Sequence, residues 1–163
     1  EVLPDGSTIV QDNPEILNER FNQKAWVSKH AGLQDNGPGN IRLLRYADIL
    51  LLAAEAANET GNATKALEYV NMIRKRARGT NTFILKDLTI TNQTDLRTAI
   101  RRERRSELAM EQHRWFDLQR WGIQSEVMKK VGKAFVANKH ELFPLPQTEI
   151  DLSGGTLGQN AGY

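Results

Sequence analysis

Residues 101–122 read RRERRSELAMEQHRWFDLQRWG, and this stretch decides how the chain is to be understood. A helix advances about 100° per residue. Carried back to Leu96, that period places Leu96, Ala99, Ile100, Glu103, Glu107 and Met110 on one stripe, with Arg97, Arg101, Arg102 and Arg105 opposite or beside it. Two carboxylates thus stand in the middle of an apolar face. An unpaired carboxylate on a core stripe is strongly destabilising. The sequence therefore demands cationic partners, and Arg74, Arg76 and Arg104 are the candidates. This helix is expected to run to about Gln112 and then kink or restart, because Trp115, Phe116, Leu118 and Trp121 need a shifted apolar face.

Upstream, Arg42–Thr60 is rich in Ala and Leu, with Arg45, Asp48, Glu55 and Glu59 on one narrow face. That pattern predicts a helix buried on most sides. Gly61 and Asn62 supply a helix stop and the next N-cap. Thr64–Arg78 then aligns Ala66, Val70, Ile73 and Ala77, with Tyr69 beside them, up to Gly79. The two helices form an αα-hairpin. Ala54, Gly61 and Ala66 give it a faint tetratricopeptide-like spacing. Phe83–Thr91 is a connection, and Asn92 or Thr94 caps the third helix. Downstream, Ile123–Phe135 reads as a weaker helix and Leu142–Pro146 (LFPLP) as extended. The glycine-rich tail from Asp151 to Tyr163 reads as a loop. Residues 1–40 carry turn signals and little periodicity. The predicted fold is mostly α: a helical scaffold, 41–163, with a tetratricopeptide-like hairpin, long irregular loops and a non-helical tail, preceded by a loop-rich segment, 1–40.

Composition narrows the function. The chain of 163 residues has no cysteine, which excludes disulfides and thiolate metal sites. The net charge of +2 comes from 22 basic and 20 acidic residues, well interspersed. Arg97, Arg101, Arg102, Arg104, Arg105, Arg114 and Arg120 are nearly cancelled by Asp95, Glu103, Glu107, Glu111 and Asp117, unlike a phosphate-tracking helix, so no nucleic acid is expected. The longest apolar run, Ile49–Ala54, is far short of a membrane span. His30, His113 and His140 lack ligand spacing, and Gly37 and Gly39 do not complete a phosphate loop. No metal, cofactor or nucleophilic serine is expected. The chain opens at Glu1 without an initiator methionine, so it is expected to be part of something longer.

Three constellations remain. Glu103 and Glu107 can be read as a hydrolytic carboxylate pair, but glycosidases set such carboxylates across a cleft. The structural reading, an ion-pair network, is preferred. Arg114, Trp115, Asp117, Arg120 and Trp121 can be read as a sugar site or as packing. Packing is preferred, with an Arg114–Asp117 pair at i, i+3 and Phe116 joining a tryptophan in the core. Trp26, followed by His30 and the loop Gln34-Asp35-Asn36, suits carbohydrate contact. Trp26, Asp35 and Asn36 are the candidate ligand residues, although Trp26 as a pin for the loop region is the preferred reading.

The strings IRLLRYADILLLAAEAAN, ALEYVNMIRKRAR, RRERRSELAMEQHRWFDLQRWG, LFPLPQTEI and QNAGY occur in the order found at the C-terminal end of SusD/RagB proteins, and residues 41–163 resemble that family. Three positions depart from its pattern: Gln112-His113 stands where the family has Gly, Ala161 where it has Pro, and Asp48 where it more often has Glu. The resemblance implies a non-enzymatic, lipid-anchored protein of the outer surface of Bacteroidetes cells. It implies capture of an oligosaccharide, or in some members a peptide, as a lid over a SusC-type TonB-dependent transporter. It further implies a ligand site built mostly by loops outside these motifs, a lipid anchor on a preceding N-terminal part, and a natural end at Tyr163. The other readings are a stand-alone helical-repeat interaction module and, more remotely, a glycan-active hydrolase.

Overall fold

The computed structural model describes Lys24 and residues 42–163. The described residues hold six helices: α1 (Tyr46–Glu59), α2 (Ala63–Arg78), α3 (Gln93–Glu107), α4 (Arg114–Arg120), α5 (Gln124–Lys130) and α6 (Gln147–Leu152). No strand occurs among them. They divide into two compact units, one ending at Met110 and one spanning Glu111–Tyr163.

In the first unit, α1 packs against both α2 and α3. The α1–α2 turn follows from Gly61 and Asn62. Gly61 takes φ +80°, where a Cβ would be strained, and the Asn62 side chain accepts from the Lys65 N–H at 3.0 Å. Asn92 caps α3 in the same way, accepting from the N–H groups of Thr94 and Asp95. Lys75, Arg76 and Arg78 in the last turn of α2 complement its negative end. Two apolar clusters form the core. Ala47, Leu50, Leu51, Ile73 and Leu108 make one. Ala54, Ala66, Val70, Leu96 and Ile100 make the other. Alanines at 54 and 66, both fully buried, allow α1 and α2 to approach closely.

Three expectations change. Helix α3 ends at Glu107, not near Gln112, because Met110 and Gln112 both take positive φ, 66° and 65°. Leu108 becomes the buried residue there, while Met110 is 71% exposed. Helix α1 starts at Tyr46 and is less enclosed than predicted: Tyr46, Ile49 and Leu52 are exposed, whereas Asp48 is buried.

Polar clips reinforce the first unit. Asn71 both donates to and accepts from the Leu88 backbone. Gln93 donates to the carbonyl of Asn58, whose amide donates back to the carbonyl of Gln93. Arg78 pairs with Asp87 and donates to the Leu85 carbonyl.

The second unit holds α4, α5, the extended Phe143–Pro146 stretch and α6, a short helix that the sequence reading does not predict and whose last two residues, Asp151 and Leu152, fall in the tail read as a loop. Its tail is held chiefly by side-chain amides. Gln159 accepts from the Leu145 N–H at 2.8 Å and donates to its carbonyl at 2.9 Å. Asn160 donates to the Phe143 carbonyl and the Tyr163 hydroxyl to that of Leu142. Lys139 lies over the Tyr163 ring. The amides of Gln159 and Asn160 thus supply the bonds that an extended segment would otherwise seek from a neighbouring strand.

Candidate functional site

The carboxylates of α3 meet guanidinium groups from α2 and from the residue preceding α1. Arg74 reaches Glu103 Oε2 at 2.5 Å, with both side chains mostly buried. Glu107 accepts from Arg76 at 2.7 Å on each oxygen and from Arg45 at 2.6 Å. Arg45 also donates to the Glu107 carbonyl, which accepts from Lys24 as well. Lys24 further donates to the Ala109 carbonyl. These bonds satisfy backbone carbonyls left open where α3 ends.

A third pair, Arg104 with Asp48, is the most deeply buried, at 2.5 Å with 4% and 5% of the side chains exposed. The sequence reading offered Arg104 as a partner for the glutamates and placed Asp48 on a polar face. The structure joins these two residues instead. The helical phase of Arg104, one turn beyond Ile100, is the signal that could have found it.

Such an arrangement has limited chemistry. A general acid or base must present a lone pair or proton to a substrate. Here both oxygens of Glu107, and Oε2 of Glu103, are held by arginine. At the far end of α1, Arg97 makes a two-pronged contact with Glu59 and holds that carboxyl below its usual range. Arg78 does the same to Asp87.

The Arg114–Trp121 string forms α4. Asp117 is buried and accepts from Arg120 at 3.0 Å. Arg114 and Arg120 lie over the Trp121 ring, at 5.9 and 4.9 Å. Trp115 meets Phe135, which in turn meets His140 edge-on. Phe116 does not join either tryptophan in a core. It is 65% exposed, because it lies about 160° around the helix from buried Leu118. Trp121 is therefore engaged by cations of its own helix.

Trp26, Asp35 and Asn36 lie outside the described residues. Among the described residues, no group of three or more His, Cys, Asp or Glu side chains is placed to hold a metal, and no helix is long and apolar enough to cross a membrane.

Residues 17–163 match the family model described as the SusD family. The chain belongs to the SusD family. It is 37% identical over 148 residues to SusD-like protein P2 of Formosa agariphila, covering 83% of this chain and 29% of that protein. It is 36% identical to SusD-like protein P25 of the same organism, covering 89% and 28%. Among solved structures, a SusD homolog from Bacteroides thetaiotaomicron superposes with a TM-score of 0.64 at 38% identity, over 74% of this chain and 26% of that one. A SusD-like protein from Bacteroides fragilis gives 0.61 at 33% identity, over 77% and 26%. The chain thus spans under a third of the length of these SusD relatives.

Proposed function

We propose that this chain is the helical scaffold part of a SusD-type nutrient-binding protein that captures oligosaccharides at the outer-membrane surface without catalysis. The family match over residues 17–163 carries this reading. The engagement of Glu103 and Glu107 by arginines supports a scaffold role, since both sit on one helix as ion-pair partners rather than across a cleft as a glycosidase sets its carboxylates. In this proposal residues 41–163 form the scaffold and residues 1–40 a loop-rich segment. Trp26, Asp35 and Asn36 are the ligand contacts within the chain. The protein is anchored by lipid on a preceding segment, faces the cell exterior and delivers its oligosaccharide to a SusC-type TonB-dependent transporter.

A glycan array on the intact protein tests this reading. Oligosaccharide binding is expected, and Trp26→Ala is expected to weaken it while leaving far-UV circular dichroism unchanged. No glycan binding by the intact protein overturns the assignment. Turnover of an oligosaccharide that Glu107→Gln abolishes would replace it with the hydrolase reading.

A further inference from the structure

A histidine closes the turn between α5 and the LFPLP segment. Asn138 takes a positive φ of 64°, and the N–H groups of Lys139 and His140 both donate to the Val136 carbonyl, at 3.3 and 3.0 Å. In return, the Val136 N–H donates to Nδ1 of the half-buried His140 at 3.0 Å. A ring nitrogen that accepts carries no proton, so this imidazole is neutral and holds its proton on Nε2. Phe135, the residue before Val136, stands edge-on to the same ring with centroids 5.6 Å apart, and it also meets Trp115 of α4 at 6.2 Å. Gln119, one turn further along α4, donates to the Glu141 carbonyl at 3.0 Å. The turn is thus tied to α4 on both sides of its closing bond.

The charges around the ring are few. Phe135 and Trp115, packed on one side, carry none. Lys139 lies over the Tyr163 ring, 4.6 Å from its centroid. Glu141 keeps Oε2 buried, with no hydrogen-bond partner among the described residues. Among the described residues, no carboxylate bonds to the His140 ring, so the closed turn offers an imidazolium only an N–H at the position of Nδ1.

We propose that His140 is a pH-sensitive latch, which holds the 136–140 turn shut while neutral and releases it, and Phe135 with it, when protonated. Imidazole gains its proton between about pH 8 and pH 5. Nδ1–H then faces the Val136 N–H, and two donors cannot share one bond. The closing bond is therefore present at the alkaline end of that range and lost as pH falls. The inference is independent of the ligand reading.

The test is hydrogen–deuterium exchange by mass spectrometry on the full natural polypeptide, at about pH 8 and about pH 5.5, with labelling times scaled for the intrinsic pH dependence of exchange. The peptide spanning residues 133–141 is expected to exchange at least about threefold faster at the lower pH, the effect of losing one hydrogen bond. His140→Asn places Oδ1 where histidine has Nδ1 and does not titrate, so it is expected to stay closed at both pH values. His140→Phe keeps a ring without the acceptor and is expected to be open at both. A smaller ratio in the wild type, or the same ratio in His140→Asn, overturns the proposal. An equal rise in a peptide from the α1–α2 hairpin also overturns it, because the change is then general loosening.

Discussion

Replacing Asp48 by Ala should be among the most damaging single changes to the first unit. Asp48 and Arg104 are 3% and 3% exposed as residues, and their side chains meet at 2.5 Å. Charge centres about 4 Å apart interact by about 4 kcal/mol at an effective dielectric near 20. Removing one partner of a buried pair costs about 3–5 kcal/mol, since the other charge stays desolvated. For a chain of this size that loss lowers the melting temperature by roughly 6–20 °C. The assay is urea unfolding followed by circular dichroism at 222 nm for the wild type, Asp48→Ala, Arg104→Met and the double variant Asp48→Leu/Arg104→Met. The double variant should be less destabilised than Asp48→Ala, because it removes both charges and fills the space with apolar atoms. A cost below about 1 kcal/mol for Asp48→Ala, or a double variant as destabilised as Asp48→Ala, would refute the reasoning.

Glu107→Ala should cost about 3–5 kcal/mol by the same measurement, because it removes the carboxylate that Arg45 and Arg76 share at a site only 11% exposed. A loss under about 0.5 kcal/mol would show the site to be effectively solvated. Gln112→Gly should raise stability by about 0.5–1 kcal/mol, because a glycine tolerates the φ of 65° that Gln112 holds under strain; a lowered urea midpoint contradicts this. Acidification should weaken the fold through Glu59 and Asp87. Their folded pKa values are depressed by Arg97 and Arg78, so the stabilisation is present above the usual carboxylate range, near pH 4, and is lost as pH falls through the lower folded values. Glu59→Gln should flatten the acid limb of a midpoint-versus-pH curve between pH 6 and pH 3, and an unchanged limb counts against the pair.

The helical fold is legible because its signals are local. An apolar period over α1 and α2, Gly61-Asn62 between them and Asn92 before α3 each act within a few residues. What escapes is non-local. That Glu103 and Glu107 need guanidinium partners follows from their stripe, but the pairing partner is set by how three helices meet, so Arg45 and Asp48 could not be matched from the string alone. Arg104 is given the wrong partner for a related reason: it is named for the glutamates of its own helix, while its phase beyond Ile100 points it inward to Asp48. The end of α3 depends on backbone strain at Met110 and Gln112, two residues with no intrinsic preference for positive φ. Helix α6 hides behind Pro146, a residue that reads as a breaker although proline suits the first positions of a helix. Trp26, Asp35 and Asn36 rest on the composition of a loop, where the position of a sugar-contacting side chain is set by neighbours far away in sequence.

The clasp between the tail and the LFPLP segment has a consequence for the order in which the protein matures. Leu145 waits for Gln159, Phe143 for Asn160 and Leu142 for Tyr163, partners separated by 14, 17 and 21 residues. During synthesis the LFPLP backbone emerges first, with its groups bonded to water. A chain interrupted before residue 159 leaves that segment without its amide partners. The clasp thus couples residues 142–145 to residues 159–163, and loss of either stretch returns the other's backbone and amide groups to water.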